Sequence, residues 1–231
     1  MRPAPRWLRR GLLGLFALVA LWQGWYIGGV LWWKYFDPGT TAFMRQRLGE
    51  LRERNPKAEL RHQWLPYGRI SNQLKRAVVA AEDDKFVDHE GFDWEGMQKA
   101  LEKNQRTGKV MAGGSTISQQ LAKNLFLSAN KTPWRKAQEA IITVWLELFW
   151  DKRRILEVYL NSVEWGEGIF GAEAAARRYY GVDASSLSAE QAARLAVMLP
   201  APRRYERNPY SAFMNARTQM VLARMQYSEV P

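Results

Sequence analysis

Two acidic residues stand in patterns that could support acid–base chemistry, and the first is Glu82. In "AEDDKFVDHEG", residues 81–91, Glu82 follows Val78 by four residues and Leu74 by eight. A helix would therefore project it close to an apolar stripe. A carboxylate in that position is partly desolvated, which raises its pKa towards the range useful for a general base or acid. The same spacing also allows a solvated acid at a helix end.

The segment after Glu82 is rich in possible metal ligands. It contains Asp83, Asp84, Asp88, His89 and Glu90. No HxxxH or EF-hand spacing occurs among them. A lone histidine among acids in a turn is typical of a hydrogen-bonded structural residue, so we do not expect these residues to hold a metal.

A second polar pattern, "GGSTISQQLAKN", spans residues 113–124. Ser115 or Thr116 can cap a helix whose first amides are unpaired, and such a helix end attracts anions. Thr116, Gln120 and Lys123 fall on one face at i, i+4 and i+7. A hydroxyl, an amide and an ammonium in a row suit a phosphate or a sugar. An ordinary exposed, capped helix has the same pattern.

The second candidate acid, Glu139, lies in "RKAQE", one helical turn after Arg135. The two side chains can form an ion pair, which at a surface contributes little. The surrounding helix is rich in Ile, Trp, Leu and Phe, so the pair could instead lie in the wall of a cleft. There it could meet an anionic leaving group or a bound cation.

The elements that must position these residues are mainly helical. Amphipathic segments follow one another, with a Ser71 cap, a Ser188–Gln191 capping box and a stop at Gly181. Alternating strand patterns are scarce. We therefore predict an all-α domain over residues 67–231, preceded by a connecting stalk over residues 34–66.

The N-terminus predicts a membrane anchor. Residues 1–10 carry four arginines and no acid, and residues 11–33 carry no charge at all. A helix of that length, about 34 Å, crosses a hydrocarbon core of about 30 Å. The run ends in bulky "VLWWKYF" without a small-residue cleavage site, which favours an uncleaved anchor over a signal peptide. The positive-inside rule keeps residues 1–10 cytoplasmic and exports the domain.

The composition limits the function classes. The 231 residues contain no cysteine, which excludes disulfides and thiolate chemistry. The formal charge of +11 indicates an anionic partner. An exported domain makes nucleic acid an improbable one, so a membrane surface or a phosphate-bearing substrate is expected.

Together these segments resemble the family 51 glycosyltransferases, the peptidoglycan transglycosylases of bacterial cell-wall synthesis. The similarity runs in family order through "EDDKFVDHEG", "GGSTISQQLAKN", "RKAQE" and "KRRILEVYLN", and it continues to "LAVMLPAPRRYERNP". It covers nearly all of residues 70–210. The resemblance implies a lysozyme-like, two-lobed, all-α fold in the bacterial inner membrane. Its substrates would be lipid II and the growing glycan strand.

The resemblance also implies roles for individual residues. Glu82 would be the general base towards the acceptor 4-hydroxyl, and Glu139 would orient the donor pyrophosphate or a divalent cation, Mg or Mn, bound to it. Lys123 and Arg135 would neutralise the leaving pyrophosphate. The remaining implied residues shape, line or brace the cleft: Asp83, Phe86, His89, Ser115, Thr116, Gln119, Gln120 and Asn124.

Two other functions are compatible with the same kind of fold. A lytic transglycosylase or lysozyme-like hydrolase would cut glycan and needs an acid, but no cationic cradle for a pyrophosphate. An anchored scaffold in a cell-wall complex would need neither. Two cations on separate helices, Lys123 and Arg135, favour synthesis over lysis.

Overall fold

The structure, a computed structural model, describes residues 5–108, 114–130 and 132–231. In these ranges the chain is helical with one small sheet, which confirms the all-α prediction. The helices are α1 (Arg6–Tyr35), α2 (Ala42–Arg54), α3 (Asn72–Glu82), α4 (Trp94–Thr107), α5 (Ile117–Phe126), α6 (Pro133–Phe149), α7 (Lys152–Ser162), α8 (Ala172–Tyr180), α9 (Ala189–Met198), α10 (Pro202–Tyr205) and α11 (Ala212–Arg224). Short 3-10 turns occupy Tyr67–Arg69 and Ala184–Ser186.

The sheet ties the segment before α3 to the middle of the chain. It contains β1 (Arg61–His62), β2 (Glu164–Gly166) and β3 (Ile169–Phe170), in the order β1-β3-β2. β1 pairs with β3 in parallel and β2 pairs with β3 antiparallel. Strands of two or three residues bury little surface, so the sheet links segments and the helices supply the core.

The core forms where two groups of helices meet. α3 packs against α9, which packs against α11, and α5 packs against α6 and α7. Three alanines of α9 are fully buried, which lets α3 approach closely. α5 buries Ile117, Leu121 and Leu125 in the same core. The polar ends of α3 and α5 are thereby brought together.

Residues 34–66 join α1 to the later helices and also pack on them. Thr41 caps α2 by accepting a hydrogen bond from the Met44 amide at 3.1 Å. Phe43 and Met44 are buried with Phe170, and α2 contacts α5. This segment therefore contributes to the wall of the later site, while the boundary at residue 67 stays a prediction.

The long helix α1 has two different halves. Residues 5–21 are all exposed, and the helix is long and apolar enough to cross a membrane. From Trp22 onward α1 packs on α6, with Trp22 stacked on Trp134 at 5.6 Å between ring centroids. Further along, the Trp150 indole donates to the Val30 carbonyl at 2.9 Å. The second half of α1 is thus fixed to the domain.

Candidate active site

The predicted site residues surround two adjoining cavities. The larger measures about 710 Å³ and lies between α5, α6, α2 and the α9–α10 region. The smaller measures about 180 Å³ and has Glu82 in its wall. Ser115 lines both, so the cavities meet at the start of α5. Gly113, at the head of the second pattern, lies outside the described residues.

Glu82 is the last residue of α3 and keeps part of its surface accessible. Gln120 donates a hydrogen bond to its Oε2 at 2.7 Å. The buried Tyr159 hydroxyl donates to the Gln120 oxygen at 2.9 Å, so the Gln120 amide must turn its NH₂ towards Glu82. Burial raises the pKa of Glu82, and the Gln120 hydrogen bond and nearby cations oppose the shift only in part. This environment gives a carboxylate that is more basic than usual.

Asp83, the next residue, has a different role. Its Oδ2 accepts from the Ile117 amide at 2.9 Å, at the first turn of α5, and its Oδ1 is 2.8 Å from His89 Nε2. His89 Nδ1 accepts from the Gly91 amide at 3.1 Å, so Nε2 carries the hydrogen donated to Asp83. With both oxygens occupied, Asp83 joins the end of α3 to the start of α5. Those contacts hold Glu82 against Gln120.

The start of α5 is fixed further by Thr116 and Gln119. They form a capping box, with the Gln119 amide 3.2 Å from Thr116 Oγ1 and the Thr116 amide 3.1 Å from Gln119 Oε1. Thr116 Oγ1 also donates to the Gly91 carbonyl at 2.7 Å. Gly91 has φ 87°, and a Cβ there would lie 2.8 Å from a Thr143 methyl, so a glycine is required.

The residues implied to line the cleft therefore divide into three groups. The larger cavity is lined by Ser115, Gln120, Lys123 and Asn124, together with Arg135 and Glu139, and the smaller one by Asp83, Ser115 and Thr116. Phe86, His89 and Gln119 line neither. Phe86 is fully buried, with Lys152 Nζ 4.8 Å from its ring centroid, and it supports the loop from the inside.

Lys123 brings a cation to the larger cavity. Among the described residues its ammonium makes no hydrogen bond or ion pair; the nearest aromatic ring is that of Phe43, at 5.7 Å. Burial lowers the pKa of Lys123, and the Glu139 carboxylate works against that shift. A partly desolvated, unpaired ammonium is well suited to bind an anion.

Glu139 is nearly inaccessible and holds two cations at the cavity wall. Its Oε2 pairs with Arg135 Nη1 at 2.5 Å, and its Oε1 pairs with the Lys136 ammonium. Lys136 also lies 3.5 Å from Ser115 Oγ. The sequence predicted the Arg135–Glu139 pair but missed Lys136, although it stands three residues before Glu139 and could have been found by the same helical spacing.

The opposite wall carries arginines that the sequence analysis did not select. Arg47 Cζ lies 4.8 Å from the Phe43 ring, and Arg47 pairs with Glu164 at 3.1 Å and Glu50 at 2.6 Å. In all, seven cationic and two acidic side chains line the larger cavity. The other arginines of this wall are Arg203, Arg204 and Arg207. The only sequence signal for them was the "APRRYER" run within the last similar block.

The donor set does not fit a metal held by protein ligands. The described residues contain no group of three His, Cys, Asp or Glu side chains placed to bind one ion. Both oxygens of Glu139 are engaged by cations. The arrangement instead combines one accessible, basic carboxylate with a cavity that attracts anions.

Comparison with known proteins agrees with this chemistry. The sequence model of the family described as Transglycosylase matches residues 48–226. A protein of Azoarcus sp. (strain BH72) is 62% identical over 231 residues, covering 100% of both chains. One of Dechloromonas aromatica (strain RCB) is 59% identical over the same coverage, and one of Laribacter hongkongensis (strain HLHK9) is 57% identical over 98% of this chain and 99% of its own. All three are called biosynthetic peptidoglycan transglycosylase.

Proposed function

Since the chain belongs to the transglycosylase family, we propose that it polymerises lipid II into linear β-1,4 glycan strands in cell-wall synthesis. The observation that carries the proposal is the position of Glu82 next to a cavity lined by seven cations. Glycosyl transfer from a lipid pyrophosphate needs both: a base for the attacking hydroxyl and positive charge for the leaving group. The lysozyme-like fold expected for the family agrees with the helical architecture.

In this reaction Glu82 acts on the acceptor. The 4-hydroxyl oxygen of the acceptor sugar attacks the anomeric carbon of the donor, and Glu82 takes the hydroxyl proton. Gln120 holds the carboxylate at 2.7 Å while part of Glu82 stays accessible to substrate. The raised pKa of Glu82 makes it a stronger base at neutral pH than an exposed glutamate.

The cations act on the donor. As the new glycosidic bond forms, the bond from the anomeric carbon to the pyrophosphate oxygen breaks with inversion, and the electron pair leaves on undecaprenyl pyrophosphate. Lys123 offers an ammonium that no described residue pairs with, and Glu139 orients Arg135 and Lys136 beside it. Charges that are fixed before the reaction stabilise the leaving group without reorganisation.

A divalent cation, Mg or Mn, at the donor pyrophosphate remains a prediction. When bound it would supply additional positive charge to the phosphates. Glu139 could reach it only by giving up Arg135 or Lys136, and no step above depends on it.

The location that we propose is the bacterial inner membrane, with the N-terminus cytoplasmic by the positive-inside rule and the domain periplasmic. The uncharged residues 11–33 of α1 would span about 34 Å, enough to cross a hydrocarbon core of about 30 Å, and residues 11–21 among them are fully exposed. From Trp22 onward α1 borders α6, whose outer face exposes Trp134, Ile141, Val144 and Leu148. That face extends the apolar surface of α1, so we expect the membrane to be a direct partner of the domain.

The segment between the second and third similar blocks has described residues that contact either the core or α1. Leu125 and Leu127 belong to the core, whereas Phe126 and Trp134 contact α1. Other cell-wall synthesis proteins remain expected partners, and no nucleic acid is expected, because the domain is expected to be exported.

One incubation separates this function from the two rivals. The purified full-length protein is given lipid II alone in detergent, and products are resolved by size. We expect glycan polymer, lost in Glu82→Gln. Cleavage of preformed strands without polymer would instead support a hydrolase. Absence of any reaction by a folded protein, unchanged by Glu82→Gln, would support a scaffold.

A further inference from the structure

A separate pocket lies beside the cleft, between α10 and the start of α11. It measures about 310 Å³, which is at the lower end of the range for small-ligand sites. We call it the α10–α11 pocket, and it is lined by Arg204, Tyr205, Asn208, Ser211 and Phe213. Arg204 also lines the larger cavity of the cleft, so one guanidinium borders both spaces. A group attached to a substrate in the cleft could therefore enter the pocket past Arg204.

The polar side chains of the pocket offer mainly hydrogen-bond donors. Arg204 is exposed and makes no hydrogen bond or ion pair with the described residues, and the side-chain amide of Asn208 makes none either. Ser211 Oγ accepts from the Met214 amide at 3.3 Å, so its hydroxyl hydrogen remains available to a ligand. None of the five lining residues is acidic. The pocket therefore selects an acceptor, and a carboxylate is an acceptor that a guanidinium binds strongly.

Two aromatic rings form walls of the pocket. Tyr205 and Phe213 lie 6.1 Å apart between ring centroids, with 31° between their planes, and Phe213 is 54% exposed. The guanidinium carbon of Arg217 lies 5.7 Å from the Phe213 ring centroid, and Arg217 makes no ion pair with the described part of the chain. Rings beside a cation keep water from it, which strengthens its attraction for an anion. The lining thus suits a ligand that combines a carboxylate with a short alkyl part.

Arg217 also relates the pocket to the candidate base. Burial raises the pKa of Glu82, and the charge of Arg217 opposes that rise, so this guanidinium lies near the Glu82 carboxylate. The α10–α11 pocket is therefore on the side of the cleft where we place the reacting sugars. In lipid II one of the two sugars carries an acidic peptide. A sugar held beside Glu82 would bring such a peptide close to Arg204.

We propose that the α10–α11 pocket binds a carboxylate of the acidic peptide attached to the sugars of lipid II and of the growing strand. The inference rests on the proposed function and adds a site for the peptide part of the substrate. Arg204 pairs with the carboxylate, and Asn208 and Ser211 donate to its oxygens. The Tyr205 and Phe213 rings contact the alkyl part. Because every disaccharide brings its own peptide, the pocket would fix the register of the strand after each addition.

Two other occupants match the lining less well. A neutral sugar could stack on Phe213, but it would make no use of the charges of Arg204 and Arg217, and no acidic side chain lines the pocket to accept from its hydroxyls. An anionic lipid headgroup would use the charges. The long apolar surface that we assign to the membrane, however, lies on α1 and α6, whereas α10 and α11 form the pocket.

The test changes the charge of the peptide. Lipid II with its acidic peptide is compared with lipid II whose peptide carboxylates are converted to amides, and the measured quantity is KM for the amidated form divided by KM for the acidic form. We expect a ratio of about ten in the wild type, since lost binding of a remote group appears in KM. Arg204→Gln should bring the ratio close to one. Any effect of Arg204 on the rest of the substrate cancels in this ratio.

Two further variants locate the effect. Phe213→Ala alters the pocket without altering the lining of the cleft, and it should lower the ratio because water then reaches the guanidinium. Arg178→Gln is the matched control, because Arg178 is an exposed arginine on α8 that lines neither the cleft nor the pocket. It should keep the wild-type ratio.

Three outcomes would overturn the pocket assignment: a ratio of one in the wild type, a wild-type ratio in Arg204→Gln, or an equal loss of the ratio in Arg178→Gln. The second is the result expected if Arg204 holds a sugar or a lipid headgroup, because KM for both forms would then rise by the same factor.

A binding measurement keeps this proposal separate from the proposed function. If the wild type polymerised neither form of lipid II, the proposed function would fail, and the pocket would still be testable. A soluble sugar-peptide without lipid or phosphate is titrated into the purified protein in detergent and followed by saturation-transfer NMR, with its amidated form as the control. We expect binding of the acidic form alone, lost in Arg204→Gln and kept in Arg178→Gln. Equal binding of the two forms, or no binding of either, would overturn the assignment.

Discussion

The end of α3 and the first turns of α6 each present a glutamate to the cleft region, yet the two environments are opposite. Glu82 has one neutral hydrogen-bond donor, Gln120, and burial raises its pKa. Glu139 is closed in by two cations, Arg135 and Lys136. The ionised form of Glu82 is therefore poorly stabilised, and Glu82 can take a proton. Both oxygens of Glu139 are paired, and Glu139 holds the two cations in place.

The comparison explains how one cleft can serve both ends of a glycosyl transfer. A base must be poorly stabilised as an anion, and a counter-ion must be well stabilised. Placing both in one charged cluster would make Glu82 a weak base. Separate helices avoid this, because α3 brings Glu82 to the small cavity and α6 brings Glu139 to the large one.

The largest effect is expected for Glu82→Gln. Loss of the base should lower kcat/KM for lipid II by about 10⁴-fold. Asp88→Asn, an exposed acid in the same loop, is the control and should keep wild-type activity. Polymer formation from lipid II measures both. Activity of Glu82→Gln within tenfold of wild type would exclude Glu82 as the base.

The thermal stability of Glu82→Gln should not fall with its activity. Folding raises the pKa of Glu82, so the folded protein holds this proton more tightly than the unfolded chain does. The free energy of unfolding therefore falls as the pH rises from the unfolded pKa of Glu82 through its folded pKa. At neutral pH the ionised carboxylate is therefore unfavourable. Glu82→Gln should keep or raise the Tm, and a lowered Tm would contradict the comparison.

Lys123→Met comes next. It removes the ammonium that lines the larger cavity and should lower kcat by about 10³-fold, as expected when a fixed charge opposite a developing anion is lost. Lys99→Met, at an exposed ion pair with Glu95, is the control. Steady-state kinetics distinguish the two variants. A rise in KM alone would mean that Lys123 only binds the substrate.

Glu139→Gln should lower kcat by about 10²-fold, because Arg135 and Lys136 would lose their fixed positions. Two charged hydrogen bonds are lost at a buried site, so the free energy of unfolding should also fall, by about 2 kcal/mol. Denaturant unfolding measures this. A Tm effect of the same sign in Glu139→Gln and Glu82→Gln would remove the distinction between the two acids.

The smallest predicted effect is the change of activity with pH. Glu82 must be ionised to act, and its pKa is raised above 4.5. Activity should therefore fall as pH is lowered through the raised pKa, about tenfold for each further unit. The pH profile of kcat/KM should lose this acidic limb in the residual activity of Glu82→Gln. A limb that stayed at the ordinary pKa of a glutamate would contradict the desolvation argument.

Local features of the fold were predictable because neighbours in sequence cause them. Ser71 and Ser188 cap helices as their spacing indicates, and Gly181 ends α8 in the left-handed conformation. The Arg135–Glu139 pair follows from one helical turn. These interactions need no knowledge of the tertiary fold.

Contacts between distant segments were not predictable in the same way. Thr116 caps α5 as its position in the sequence allows, but the hydrogen bond from its hydroxyl to the distant Gly91 carbonyl and the burial of Gln119 follow only from the packing of α5. The glutamine that fixes Glu82 is in turn fixed by Tyr159, 39 residues further on. Arg47 reaches the cleft only because α2 folds back on α5. Which polar residues face the cavity depends on such pairings.

The locked amide of Gln120 has a consequence for where the proton goes after catalysis. Its NH₂ points at Glu82 and its oxygen at Tyr159, whose pKa is raised far above the ordinary value by burial. Neither group can relay a proton inward. The proton that Glu82 takes up should therefore leave on the side that opens to the small cavity, to solvent or to the pyrophosphate product, and not through the core.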